Sequence, residues 1–133
     1  MEKEANVMNE ESVNEEIMSK EIMSKEIMNE EIEMGAFQII AAVGTARSCY
    51  IEAIHAAKAH DYAEAERLIA QGDESFNQGH DAHLEMLGKE AEGDSVACLL
   101  IIHAEDQLMS AEGFKLIALE LIDVYREMEK LAK

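Results

Sequence analysis

From Ile32 onward the apolar residues fall into a rhythm. Ile32, Ala36, Ile39, Val43, Ala46, Tyr50, Ile54 and Ala57 recur at spacings of three and four, which puts them on one face of an α-helix. The pattern predicts a first helix from about Glu31 to the stretch KAHD at 58–61. There Asp61 suits an N-cap and Glu64, three residues on, suits a capping box. A second helix carries Ala65, Leu68, Ile69, Gly72, Phe76, His80, His83 and Leu87 on its apolar side until EAEGDS (90–95) interrupts it. Asp94 or Ser95 is then the expected cap of a third helix, from about Val96 towards Leu131. Short connections between long helices imply antiparallel neighbours, so the predicted fold is all-α, an antiparallel three-helix bundle in each chain.

The third helix departs from simple amphipathicity. One stripe joins Leu99, His103, Asp106 or Gln107, Ser110, Phe114, Ile117, Leu121, Val124 and Met128, yet its first half, VACLLIIHA (96–104), is apolar on every side. Such a helix must be covered all round, and two partner helices from one chain do not suffice. Large apolar patches are rare on monomers, so the remaining face predicts a homo-oligomer.

Residues 1–30 follow another rule. EIMSK repeats there with a period of five, which advances a helix by ~140° beyond a full turn and scatters Ile17, Ile22, Ile27 and Ile32 around the axis. Over 1–33, three lysines face eleven glutamates. With no stripe to bury, this acidic repetitive tail is expected to be disordered or a frayed helical extension, ahead of a helical domain at 31–133.

Composition agrees with helices: no proline, 48% apolar residues, and a wealth of Ala, Glu, Leu, Met and Lys. The formal charge of −18 argues against nucleic acid and against an anionic membrane surface, and would steer in a basic protein partner. No stretch approaches the ~20 apolar residues of a membrane span, and the acidic N-terminus is no signal peptide, so no direct membrane insertion is expected. Cys49 and Cys98 form no CxxC pair and read as reduced thiols of a cytoplasmic protein.

His103 is the anomaly that invites chemistry. It interrupts aliphatic residues and shares a helical face with Asp106, three positions on. An imidazole can act as base or nucleophile near neutrality, although a lone histidine in an apolar helix is more often a hydrogen-bonded core residue. Glu52 and His55 have the Glu-x-x-His spacing of di-iron bundles, but no second such pair exists and Glu52 points away from the Tyr50 stripe. His80, His83 and His103 lack a fourth ligand for zinc; the two helix-two histidines read better as neighbours of the helix-three site. Neither a Ser–His–Asp order nor a glycine-rich phosphate loop is present.

The segments GTARS (44–48), HDYAEAERLI (60–69), NQGH (77–80) and above all LLIIHAEDQLM (99–109) resemble the lactose/cellobiose-type IIA component of the bacterial phosphoenolpyruvate-dependent sugar phosphotransferase system. Matches run in order over roughly 34–131. The resemblance implies three long helices per chain assembled as a homotrimer, with His103 as the phosphorylated residue. It would accept a phosphoryl group from phospho-HPr and pass it to a cysteine of the IIB component, for uptake of a β-glucoside such as cellobiose or lactose. It further implies that Asp106 points at the threefold axis, where three carboxylates would hold one Mg²⁺ per trimer. His80, His83 and Gln107 are candidate neighbours of the site, and Arg47 is expected to pair with a buried carboxylate rather than clamp phosphate.

The chain departs from the family pattern in places. Glu105 replaces a glutamine two residues after the histidine, Gln107 a histidine four after, His83 a glutamine and Gly79 an alanine. Glu105 lies ~200° around the helix from His103, whereas Gln107 shares its face. Gly113, in mid-helix, suggests a close contact. The competing expectations are a non-catalytic IIA-like helical regulatory or interaction protein and a metal-storing or redox bundle.

Overall fold

The computed structural model describes the backbone of residues 2–133 and the side chains of 9–27 and 29–133. It contains three α-helices: α1 (Glu2–Lys58), α2 (Tyr62–Ala91) and α3 (Leu99–Ala132). Contacts divide the chain into two units, Met1–Ile32 and Glu33–Lys133. In the first, the backbone is helical, and Val13, Ile17, Met18, Ile22, Met23 and Ile27 are 46–60% exposed. Lys20 meets Glu16 one turn back at 2.9 Å, both in solvent. Among the described residues no helix is long and apolar enough to cross a membrane.

In the second unit the contacts set the helix directions. Residues 57, 50, 43 and 35 of α1 lie level with 65, 72, 79 and 86 of α2, an antiparallel pairing. His83, Asp73 and Glu66 of α2 likewise bond Glu105, Lys115 and Arg126 of α3, which is antiparallel again. The bundle is the up-down-up arrangement expected from the short connections.

Both connections are set by local chemistry. At the end of α1, Asp61 N–H donates to the Ala56 carbonyl and His60 N–H to Ala57, with His60 in the left-handed region at φ 64°. Asp61 then caps α2, accepting from Glu64 N–H at 3.1 Å. The same closure ends α2, where Gly93 takes φ 98° and Asp94 N–H reaches the Lys89 carbonyl. The start of α3 differs from expectation: neither Asp94 nor Ser95 caps it. Val96 is buried, and its N–H donates to the Glu90 carboxylate at 3.1 Å. That anchor keeps the chain extended through Cys98, an N-cap without a side-chain hydrogen bond, so α3 begins three residues later than expected.

The core runs along Ala36, Ile39, Val43, Ala46, Tyr50, Ala53 and Ala57 of α1, the predicted face apart from Ala53 for Ile54. In α2 the buried set is Ala65, Gly72, Gly79, Ala82 and Met86, while His80 and Leu87 are exposed. The predicted stripe is therefore wrong in its second half. Small residues let α2 close onto α1: a Cβ at Gly79 would stand 3.0 Å from Val43 Cγ1, and one at Gly72 would stand 2.6 Å from the Tyr50 ring. In α3 the buried residues are Ile101, Ala104, Leu108, Ala111, Ala118 and Ile122. Most of the stripe expected there faces solvent instead, although Gln107 turns inward and Phe114 packs on Ala46, Tyr50 and Ala118.

A polar joint ties the three helices together. The ring of Tyr50 is fully buried, and its hydroxyl donates to Asp73 at 2.9 Å, while Lys115 donates to the same carboxylate at 2.9 Å. Burial, then the hydrogen bond and charge of Asp73, raise the Tyr50 pKa well above its usual value.

Candidate functional site

His103 stands in the second turn of α3, exposed, with no hydrogen bond to any described residue. Asp106, next on that face, is also exposed and unpaired among the described residues. Gln107, one turn after His103, turns inward, and its Oε1 accepts from Arg47 Nη2 at 2.7 Å. A single imidazole thus projects into solvent beside an amide fixed by a cation from α1. The core-histidine reading fails, because the ring is exposed and no described residue hydrogen-bonds it.

The histidines of α2 lie elsewhere. His83 Nε2 is 2.9 Å from Glu105 Oε1, and His80 stacks on Phe76 with ring centroids 6.3 Å apart. Together with Leu84, Leu87 and Met109 they line a cleft of about 390 Å³ between α2 and α3. Glu105 leaves α3 ~200° from His103, so within one chain His80 and His83 do not join the His103 site. His83 and Glu105, two departures from the family pattern, are partners of each other.

Other candidates resolve quickly. Glu52 and His55 are 3.9 Å apart, each about two-thirds exposed, a solvated pair rather than a metal site. Among the described residues no three His, Cys, Asp or Glu side chains gather to hold a metal ion. Cys49 is buried and Cys98 exposed, and neither is bonded to the other. Arg47 corrects an expectation, since its partner is the neutral Gln107 and no carboxylate among the described residues pairs with it. The sequence held a clue: the α1 residues three and four away are Val43, Gly44, Tyr50 and Ile51, none acidic.

Along the outer side of α3, Leu99, Ile102, Met109, Leu116, Ile117 and Val124 are 50–83% exposed. Leu99, Ile102, Asp106, Met109, Gly113 and Leu116 alternate by three and four, the spacing of a coiled-coil seam. Asp106 sits in the middle of that seam, and His103 lies on its flank.

Comparison with known proteins points in one direction. The family model for the phosphotransferase system lactose/cellobiose-specific IIA subunit matches residues 34–126. The oligo-β-mannoside-specific EIIA component of Bacillus subtilis (strain 168) is 39% identical over 95 residues, 71% of this chain and 86% of the relative. The lactose-specific EIIA component of Staphylococcus aureus (strain N315) is 37% identical over 71% of this chain and 93% of its own. Among solved structures, the cellobiose-specific enzyme IIA of Bacillus anthracis superposes with a TM-score of 0.72 at 37% identity, covering 74% of this chain and 92% of that one. The IIA(Chitobiose) protein of Escherichia coli, solved in complex with HPr, gives 0.67 at 26% identity, covering 74% and 96%.

Proposed function

The chain belongs to the lactose/cellobiose-specific IIA family of the phosphotransferase system, and on that premise we propose that His103 is its phosphoryl carrier. The observation that carries the reading is the isolation of that ring: exposed, unbonded, and beside a fixed amide. Phosphoryl transfer asks a protein chiefly for positioning and charge stabilisation, and an accessible imidazole on a rigid helix meets the first need. A ring nitrogen of His103 attacks the phosphorus of phospho-HPr. The new N–P bond forms as the bond to the donor breaks, and that electron pair stays on the donor. In the second step a cysteine thiolate of IIB attacks, an S–P bond forms, and the pair of the broken N–P bond returns to His103.

HPr as donor is supported by the Escherichia coli relative, solved in complex with it. The excess of 29 acidic over 11 basic residues suits a carrier that presents a basic face. The relatives' names point to β-linked di- and oligosaccharides as the sugars served.

The working unit is a homotrimer wound about the α3 seam, which covers Leu99, Ile102, Met109 and Leu116. Asp106 fits a shared cation. Among the described residues it is an unpaired carboxylate in an apolar seam, and threefold symmetry would supply three oxygens. A bound Mg²⁺ would neutralise their repulsion and hold the trimer; it takes no part in transfer.

The test is labelling from radioactive phosphoenolpyruvate with enzyme I and HPr. The wild-type chain takes up label, whereas His103→Ala takes up none and keeps its oligomeric state. Labelling that survives in His103→Ala would place the carrier elsewhere. A wild-type chain that never labels would make this a regulator.

A further inference from the structure

Arg47 poses a problem of charge. Its Nη2 donates to Gln107 Oε1 at 2.7 Å, and its Nε is sealed from solvent without any hydrogen bond. Half-buried cations ordinarily find an anion, since desolvated charge is costly when unmatched. Acidic side chains outnumber basic ones 29 to 11 in this chain, yet among the described residues none pairs with Arg47. An anion from outside the chain would complete the site. Gln107, which Arg47 grips, lies one turn from His103 on the same face of α3.

We propose that Arg47 and Gln107 form the fork that binds the phosphoryl group while it is carried on His103. The assignment rests on the phosphohistidine reading above. With Oε1 occupied by Arg47, the Gln107 amide is oriented with both N–H donors of Nε2 unused, and the guanidinium keeps further N–H donors of its own. A planar cation and a fixed amide offer the geometry and charge that phosphoryl oxygens require. No bond is made or broken by either residue. They stabilise charge on the group during transfer and on the phosphohistidine afterwards.

Three variants of the full chain, assayed for label uptake and for thermal stability, decide the matter. Arg47→Gln, which can still hydrogen-bond Gln107, is expected to slow labelling roughly 10²-fold, the usual worth of a donor aimed at developing charge. Arg47→Lys retains the charge without the fork and recovers part of the rate. Gln107→Glu is the decisive case. It gives Arg47 the carboxylate it lacks, so the melting temperature rises, yet labelling falls because the cation is already neutralised. A tether with only a structural role predicts the opposite, a Gln107→Glu chain that labels like wild type. Wild-type rates in Gln107→Glu or Arg47→Gln, beside a labelled wild-type chain, overturn the fork alone. An unlabelled wild-type chain overturns the phosphohistidine reading with it, so the two failures are told apart.

Discussion

At the scale of single residues, Tyr50 is the most consequential side chain outside the site. Its ring fills the centre of the bundle and its hydroxyl joins α1 to Asp73. Burial and then Asp73 raise its pKa, so the native state holds the proton more tightly than the unfolded chain does. That contribution is complete below the ordinary tyrosine pKa of about 10 and is lost as pH climbs beyond it. Urea midpoints should therefore be level at neutral pH and fall in the alkaline range. Tyr50→Phe should lose about 1 kcal/mol at pH 7, the net worth of one hydrogen bond, and show a shallower alkaline decline. Tyr62 leans the same way through burial and Glu129, so some slope persists. An unchanged pH profile in Tyr50→Phe would remove the polar joint from the account. At this scale the sequence was legible where chemistry is local. Asp61 with Glu64 was readable as a cap because both partners lie within one turn, whereas the Glu90–Val96 anchor depends on a loop closing back on its own helix.

At the scale of elements, the choice of α2 face is the instructive miss. By size and spacing Phe76, His80, His83 and Leu87 suit the core stripe, but size does not decide burial here. In the structure the close approach of α2 to α1 is made at Gly72 and Gly79, which let the two helices come together until side chains meet backbone. The large residues are left to line the cleft towards α3. Gly72→Ala should therefore destabilise by about 1–3 kcal/mol, because its Cβ would stand 2.6 Å from an immobile Tyr50 ring. Gly44→Ala, with nothing within 4 Å, should instead stabilise by about 1 kcal/mol through helix propensity alone. Thermal melts of the pair check both signs, and a stabilised Gly72→Ala would mean that α1 and α2 are not held so closely. The apolar surround of His103 could be read from the sequence because its neighbours lie on the same helix. The partner of Arg47 could not, since it lies 60 positions away and shares no pattern with it.

For the whole molecule, the question is what covers α3. The sequence announced a helix too apolar for one chain, and the structure leaves that seam bare with Asp106 in its middle. Removing a carboxylate and adding a cation then have different consequences. Asp106→Leu should weaken the trimer less than Asp106→Lys, because leucine suits an apolar seam while three converging ammonium groups repel without a metal to share. Sedimentation of the two variants with and without chelator is the measurement. Equal dissociation would contradict the axial placement of Asp106. The ribbon of Leu99, Ile102 and Leu116 carries a further consequence. Were two further copies to cover that ribbon, assembly would depend steeply on concentration, and dilution would return Leu99, Ile102 and Leu116 to water.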